Sequence, residues 1–385
     1  MKSLHVIQNI PSPYRLHLFN EMWRQLKKMN IDFHVHFMSD FSKGHKDRPL
    51  SWYNPKIDFP HTYWKDYGFG CHHFNPGMLL HLSKVKPTYL LIGSTFDTFT
   101  GLLASQGFKS SVKCAWSEGN TKTTGKMTGL LGWIKRMAFS GCRFVGVPGL
   151  DAANYIALHQ TLTKKKMPEP IYLPNLIDET RFKPRALWNE VKLSELRASL
   201  GITQDDRVAL TPARLTAVKG LVEYFQKLTP KMLEGWKLLL FGQGELKDEL
   251  ITIATTRGFL KNLIIKDFIE YKEMPKVYAI SDLMVLPSNY DPNPLSVVEA
   301  LHSGLPIALS CMAGNVEEGV TEGQNGWVLP IKKDAEYYET LKYIFSTDIK
   351  TLQMRGEKSV QENAKFWNTQ QAISNFLKCL GVERK

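Results

Sequence analysis

The sequence predicts an α/β protein of two domains, in which short parallel strands alternate with helices. Three observations lead to this prediction: the chain has 385 residues, short apolar runs alternate with stretches of helical spacing, and a second such series follows a charged stretch at 179–206. At about 100–200 residues per domain, this length allows two domains. Strand and helix alternation predicts parallel sheets covered by helices on both faces.

Five strands are predicted in the first domain, and helical spacing over 14–29 predicts a helix between the first two of them. The strands are predicted at 4–10, 33–38, 89–92, 112–116 and 144–147. After the charged stretch, strands are predicted at 207–211, 237–241, 263–266, 283–286 and 305–309, and helices at 220–227 and 244–257. Ligands of such sheets bind where strands end, so the residues that follow strands are the candidates for function.

The composition is that of an ordinary soluble globular protein with a basic excess. There are 49 Lys and Arg residues against 37 Asp and Glu, a formal net charge of +12. This excess predicts an anionic partner, and nucleic acid, anionic lipid head groups and a phosphorylated substrate all remain open. Five scattered cysteines without Cys-x-x-Cys spacing predict reduced thiols, with neither a disulfide framework nor a zinc ribbon.

The amino terminus alternates like a strand and lacks the apolar stretch of a secretory signal. The apolar runs are also far shorter than the ~20 residues that a membrane-spanning helix needs. We therefore expect a cytoplasmic protein without a transmembrane segment.

A pair of cations follows the first predicted strand of the second domain. Arg214 and Lys219 lie in a loop and at the start of a helix, where free N–H groups and two positive charges suit a diphosphate. Two solvated surface charges are the alternative. The next strand ends in Gly242-Gln-Gly244, which lets the backbone approach a ligand. Lys247 stands where a dinucleotide fingerprint has its third glycine, so NAD is not predicted.

Two carboxylates lie in the stretch 288–308. Asp291 is in a Pro-rich turn, which can present its carboxylate and free N–H groups to a polyol and a phosphate. Glu299 lies about two turns further at ~5.4 Å per turn, on the helix that follows, and can bind a ribose. The alternative is one helix-capping and one surface carboxylate.

These motifs together resemble family 4 of the GT-B glycosyltransferases, also called glycosyl transferases group 1. Arg214-x4-Lys219-Gly220, the Gly242-x-Gly244 turn and Asp291-x7-Glu299 occur in the family's order and spacing. The resemblance covers residues 207–330 in detail, and weaker matches at 9–15 and 173–184 extend it in outline to the whole fold.

The resemblance implies two Rossmann-like domains that face each other across a cleft. Residues 1–185 would bind the acceptor, residues 186–365 the nucleotide-sugar donor, and residues 366–385 would form a helix that crosses back to the first domain. The implied activity is that of a retaining, metal-independent glycosyltransferase of hexosyltransferase type. It would move a sugar from a UDP- or GDP-linked donor to a glycan or a polyprenyl- or other lipid-linked acceptor, in cell-surface polysaccharide or glycolipid synthesis.

No cofactor, metal or nucleic-acid partner is implied. The sequence has no Asp-x-Asp, which counts against a metal-dependent transferase of the GT-A type, and Cys71-His72-His73 lacks a second ligand cluster. The alternative from another class is a non-catalytic basic protein of the same fold, or a nucleic-acid-binding protein, whose binding would fall steeply with salt.

The resemblance also implies roles for individual residues. Arg214 and Lys219 would hold the donor diphosphate and stabilise the leaving nucleotide, while Asp291, where the family usually has Glu, would contact sugar hydroxyls. Glu118 occupies the position at which the family commonly has a His that contacts the donor sugar. The alternative is that Glu118 is a helix-capping carboxylate. Further donor contacts are implied for Pro11, Ser12, Gly242, Gly244, Phe268, Ile269, Asn293, Leu295, Ser296 and Glu299.

The stretch 121–143 is basic and amphipathic. It carries Lys and Arg but no acidic residue, and apolar side chains including Trp133 are interleaved with them. Such a segment suits docking on an anionic membrane surface. A helix packed on the sheet with a solvated basic rim fits the pattern equally well.

Overall fold

A computed structural model describes residues 2–40, 57–70, 72–95, 97–122, 124, 129–164, 166–267, 269 and 272–382. The chain divides into two compact units, one of Met1–Ile177 with Thr369–Lys385 and the other of Asp178–Asn368. Each unit is a parallel sheet with helices, so the predicted two-domain α/β fold is confirmed. These divisions lie at 177/178 and 368/369, whereas the sequence placed the domain boundaries at 185/186 and 365/366.

The strands are β1 (Ser3–Gln8), β2 (Asp32–Phe37), β3 (His61–Tyr63), β4 (Tyr89–Ile92), β5 (Val112–Trp116), β6 (Phe144–Val147), β7 (Glu169–Tyr172), β8 (Arg207–Pro212), β9 (Trp236–Phe241), β10 (Leu263–Lys266), β11 (Leu283–Leu286), β12 (Ile307–Ser310) and β13 (Gly326–Leu329). The helices are α1 (Pro13–Lys28), α2 (Pro76–Val85), α3 (Phe99–Gln106), α4 (Gly129–Ser140), α5 (Leu150–Thr163), α6 (Glu190–Ser199), α7 (Leu221–Lys227), α8 (Lys247–Thr256), α9 (Met274–Ala279), α10 (Leu295–His302), α11 (Val316–Gly319), α12 (Asp334–Ser346), α13 (Ile349–Lys358) and α14 (Thr369–Leu380).

The first unit has a sheet of the order β3-β2-β1-β4-β5-β6-β7, parallel throughout. Its central strands β4 and β6 are buried along their whole length, as expected of parallel strands covered on both faces. The edge strands β3 and β7 were not predicted, because their His-Thr-Tyr and Glu-Pro-Ile-Tyr sequences contain no apolar run. The C-terminal helix α14 belongs to this unit and packs on α1 and β7.

The second unit has a parallel sheet of the order β10-β9-β8-β11-β12-β13. The charged stretch 179–206 contains helix α6 of this unit. The Asn189 side chain caps α6 by accepting a hydrogen bond from Lys192 N at 3.2 Å. Arg197 fixes the helix to the unit, since its guanidinium donates to the carbonyl oxygens of Ile280 at 2.8 Å and Thr203 at 2.9 Å.

A cluster of histidines lies on one face of the first sheet. The rings of His5, His34 and His36 stack with centroids 4.6–5.8 Å apart, and His81 of α2 lies 5.5 Å from His36. Trp64 Nε1 donates to His36 Nδ1 at 3.1 Å, and an indole nitrogen can only donate. His36 Nε2 therefore carries the proton of the 2.9 Å hydrogen bond to His5 Nδ1. A further proton on either ring breaks one of these bonds.

Burial lowers the pKa of both bonded histidines. The pKa of His36 falls to about 2 because the ring is desolvated and because His34, His5 and His81 would repel its charge. The pKa of His5 falls to about 4 through burial and repulsion by His34 and His81, which Asp32 partly offsets. Histidine in the unfolded chain protonates near pH 6.5. The stability that depends on these neutral rings is therefore complete above pH 6.5 and is lost as the pH falls below it.

We expect His5 and His36 together to contribute about 3 kcal/mol per pH unit to the fall in the free energy of unfolding of the first unit between pH 6 and pH 4. This contribution corresponds to about 1.4 kcal/mol for each of two protons taken up on unfolding. His36→Gln keeps an acceptor for Trp64 and removes one of these protons, so its slope should be less steep than that of wild type by about 1.4 kcal/mol per pH unit. Denaturant unfolding at several pH values measures this, with the exposed His72→Gln as control. Equal slopes in wild type and His36→Gln would contradict the assignment.

Candidate active site

An ion pair joins two loops at the carboxyl edge of the second sheet. Lys219 ends the short 3-10 turn Ala217–Lys219 after β8, and Asp291 follows β11. Lys219 Nζ donates to the Asp291 carboxylate, and the two side chains are only 17% and 11% exposed. Tyr290 N donates to Val218 O at 3.0 Å and holds the same two loops together. The structure thus brings together a cation and a carboxylate predicted for one site.

Gly220 makes this approach possible. Its backbone is left-handed, with φ of 62°, and a Cβ at this position would lie 2.3 Å from the carbonyl oxygen of Pro287. Glycine adopts this conformation without steric penalty. Lys219 therefore supplies the positive charge of the loop, and Gly220 allows the loop to lie close to the end of β11.

The glycine turn after β9 packs against the loop that carries Arg214. Leu215 N donates to Gln243 O at 2.9 Å, and Leu246 N donates to Leu215 O at 3.0 Å. A Cβ on Gly242 would lie 2.0 Å from Ala213 O, and one on Gly244 2.2 Å from Leu215 O. These two glycines are thus required by loop packing alone. Arg214 is exposed and forms no ion pair within the described residues.

The turn that carries Asp291 is held from the far side by residues 313–315. Gly314 N donates to Asp291 O at 3.0 Å, and Asn315 Nδ2 donates to Pro294 O at 3.0 Å. Helix α10 begins directly after this turn at Leu295 and Ser296. The first N–H groups of an α-helix have no acceptor within the helix, so this turn can receive an anion. Asn293 is buried in the same turn.

Glu299 lies on α10 in a different environment from Asp291. Its side chain is buried, and Tyr278 Oη donates to Oε2 at 2.6 Å. Burial raises the pKa of Glu299 to about 7, although the Tyr278 hydrogen bond and the charge of Arg181 act in the opposite direction. The sequence analysis did not select Tyr278 as a candidate, because this residue lies on α9 and does not directly follow a strand.

Two of the residues implied to contact the donor, Phe268 and Ile269, follow β10. Ile269, shortly after β10, is half-buried. Phe268 lies outside the described residues.

The remaining candidates lie at the carboxyl edge of the first sheet. Pro11 and Ser12 are buried between β1 and α1. Glu118 follows β5 and accepts hydrogen bonds from Arg15 Nη2 at 2.6 Å and from Asn175 Nδ2 at 3.0 Å. The roles of Arg15 and Asn175 here were missed by the sequence reasoning, although both follow strands of this sheet and the same positional rule could have found them.

Other features of the described part of the chain bear on metal and membrane chemistry. No three His, Cys, Asp or Glu side chains within it lie together as a metal site would require. His73 instead contacts the Asp66 carboxylate at 2.8 Å, and His72 contacts the carbonyl of Asp97 at 2.9 Å, while Cys71 lies outside the described residues. None of the described helices is long and apolar enough to cross a membrane.

Residues 194–362 match the family model described as glycosyl transferases group 1. The chain is 31% identical over 163 residues to an uncharacterized glycosyltransferase of Methanocaldococcus jannaschii, an alignment that covers 42% of this chain and 41% of that protein. It is 27% identical over 149 residues to the Escherichia coli UDP-Gal:alpha-D-GlcNAc-diphosphoundecaprenol alpha-1,3-galactosyltransferase, covering 37% of each. The chain thus spans about two-fifths of the length of these relatives.

The fold likeness extends further than the sequence likeness. Anabaena HepE in complex with UDP superposes with a TM-score of 0.74 over 100% of both chains, at 16% identity. This identity supports the fold alone. Residues 194–362 therefore belong to the glycosyl transferases group 1 family, and the two α/β units of the chain have the fold of the GT-B glycosyltransferases.

Proposed function

We propose that the protein is a retaining, metal-independent glycosyltransferase of family 4. It transfers a hexose from a UDP- or GDP-linked donor to a glycan or a polyprenyl- or other lipid-linked acceptor in cell-surface polysaccharide or glycolipid synthesis. The observation that carries the proposal is the Lys219–Asp291 ion pair at the carboxyl edge of the second sheet, beside the start of α10. A UDP-linked donor is supported by HepE, which was solved with UDP, and a lipid-linked acceptor by the galactosyltransferase named for UDP-Gal and a diphosphoundecaprenol-linked sugar.

The paired charges suit two neighbouring parts of a nucleotide sugar, the anionic diphosphate and the hydroxylated sugar. In this proposal Lys219 and Arg214 neutralise the diphosphate as negative charge develops on the leaving group. Asp291 accepts hydrogen bonds from sugar hydroxyls, and its pairing with Lys219 keeps both groups fixed in one place. Backbone N–H groups at Leu295 and Ser296 add donors to the distal phosphate. Retention follows if the acceptor attacks from the face that the diphosphate leaves.

Loss of Lys219 tests the donor site. We expect Lys219→Ala to weaken the binding of the preferred nucleoside diphosphate about 10- to 100-fold, since a hydrogen bond to a charged group contributes about 1.5–3 kcal/mol. Calorimetry with UDP, GDP, ADP and their sugar conjugates, at two salt concentrations, measures this. Lys227→Ala is the matched control, because Lys227 is a similarly exposed cation of the same unit, paired with Asp334.

Two outcomes would contradict the donor site. The first is equal nucleotide binding by wild type and Lys219→Ala. The second is no nucleotide binding by wild type together with salt-sensitive binding of nucleic acid, which would favour the non-catalytic alternative.

Glu299 is the proposed ribose-binding residue, and its burial makes it sensitive to pH. Its pKa near 7 exceeds the ordinary value of 4.5, so the folded chain holds the proton more tightly than the unfolded chain. Protonation therefore favours folding below pH 7, and the buried negative charge lowers stability above it. An ionised Glu299 is also the better acceptor for ribose hydroxyls.

We expect Glu299→Gln to raise the free energy of unfolding relative to wild type at pH 8, with a smaller difference at pH 5.5. The amide keeps an acceptor for Tyr278 and never becomes charged. At pH 8 the same variant should bind the nucleoside diphosphate about tenfold more weakly, because a charged acceptor is replaced by a neutral one. Denaturant unfolding and calorimetry measure the two effects, with the exposed Glu339→Gln as control. A constant stability difference across this pH range would count against the assignment.

We also propose that the first unit docks peripherally on the cytoplasmic face of an anionic membrane. Leu130 and Trp133 on α4 are 72% and 52% exposed, and Phe99 and Leu103 of the neighbouring α3 are exposed as well. Phe139 on another side of α4 is buried, so the helix packs on the unit and still presents an apolar surface. Lys135 and Arg136 lie on the same helix and supply the charge that attracts anionic lipid.

Trp133→Ser should lower binding to vesicles of phosphatidylcholine with phosphatidylglycerol about tenfold, because burial of a large apolar side chain contributes about 1.5–3 kcal/mol. Cosedimentation measures the bound fraction, and vesicles of phosphatidylcholine alone show the contribution of charge. Tyr343→Ser is the control, since Tyr343 is an exposed aromatic residue of the second unit. If wild type stays in the supernatant with both vesicle types, docking is refuted.

A further inference from the structure

Glu118 is held through one of its two oxygens. Arg15 Nη2 donates to Oε1 at 2.6 Å, and Asn175 Nδ2 donates to the same oxygen at 3.0 Å. Arginine often binds a carboxylate through both oxygens. Here Oε2 receives no hydrogen bond within the described residues, and the Glu118 side chain is 37% exposed. One carboxylate oxygen is thus fixed by the protein, and the other is unused on a partly exposed side chain.

The cation that holds Glu118 is itself immobile. Arg15 is buried, and its guanidinium carbon lies 3.5 Å from the centroid of the Trp116 ring and 5.1 Å from that of Tyr14. Arg15 lies on the first turn of α1, Trp116 ends β5 and Asn175 follows β7, so three elements fix the direction of the carboxylate. A group with this little freedom can orient a ligand without losing much conformational entropy on binding.

Two buried donors of the same turn have spare hydrogen-bonding capacity. Ser12 Oγ and Arg15 Nη1 are shielded from solvent and have no hydrogen-bond partner in the part of the chain that is described. Buried polar groups are nearly always satisfied by protein, water or ligand. This edge of the first sheet therefore has unused donors at Ser12 and Arg15 and an unused acceptor at Glu118.

We propose that Glu118 determines specificity by accepting, through Oε2, a hydrogen bond from a hydroxyl of a carbohydrate bound to the first unit, and that Arg15 is its positioning residue. The ligand class follows from charge. The Arg15–Glu118 pair has no net charge, so it does not select an ionic group, whereas an ionised carboxylate oxygen is a strong acceptor for a hydroxyl. The inference rests on the proposed function, in which the first unit binds the acceptor sugar, and it assigns Glu118 to that sugar and not to the donor.

Saturation-transfer NMR with the methyl α- and β-glycosides of glucose, galactose and mannose tests this on the full chain. At least one glycoside should bind wild type. Glu118→Gln should reduce its signal at least tenfold, because Arg15 and Asn175 keep the amide oxygen and the NH2 group then faces the sugar hydroxyl. Arg15→Met should lose the signal as well, and Arg15→Lys should retain part of it. Glu21→Gln and Arg24→Met are matched controls from an exposed ion pair on the same helix.

A second readout separates positioning from folding. With the donor found by calorimetry, Glu118→Gln should raise KM for the glycoside acceptor while KM for the donor and the melting temperature stay near wild type. The inference is overturned if no glycoside binds wild type, if Glu118→Gln binds as wild type does, or if the Arg15 variants change only the melting temperature. Failure of the proposed function would show separately, as absence of nucleotide binding by wild type.

Discussion

The contact on which the second unit's site depends is the close approach of the loop after β8 to the end of β11. Gly220 permits this approach because any side chain there would collide with the Pro287 carbonyl, and Lys219 is then placed against Asp291. A buried ion pair seldom stabilises a fold more than an apolar pair of the same volume does. Stability therefore does not account for a shielded cation and carboxylate at this edge, and the proposed ligand, which has an anionic and a hydroxylated part, would use both groups.

Both sheets have an ion pair at their carboxyl edges. In each, a cation from the loop or first turn after one strand meets a carboxylate that follows another strand: Lys219 with Asp291, and Arg15 with Glu118. Parallel strands make this possible, because all their carboxyl ends lie on one edge and residues distant in sequence converge there. Asp291 and Glu299 show how much the local surroundings matter. The first is paired with a cation, while the second is buried beside a tyrosine and its pKa is raised.

The sequence predicted most strands that have an unbroken apolar run, but it missed β13, whose Gly-Trp-Val-Leu sequence is also apolar. Strand β4 has its predicted bounds, whereas β3 and β7 are edge strands whose pairing with one neighbour, and not their composition, makes them strands. Lys219 and Asp291, which follow strands at family spacing, are brought together in the structure, and their role in a donor site stays a prediction. Arg15 was not assigned a role although it follows a strand. Tyr278 could not be assigned one, because its importance comes from the side chain that it reaches across the fold, and sequence spacing carries no information on that.

The Oε2 atom of Glu118, which accepts no hydrogen bond within the described residues, distinguishes two interpretations of the Arg15–Glu118 ion pair. If Glu118 only neutralised a buried Arg15, bidentate pairing would be the more favourable geometry and neither oxygen would need exposure. The observed geometry places both protein donors on Oε1 and leaves Oε2 without a hydrogen bond within the described residues, while the Arg15 guanidinium stacks on the Trp116 ring. The fold therefore holds the carboxylate with one oxygen open to a ligand, which is the arrangement that recognition of a hydroxyl requires.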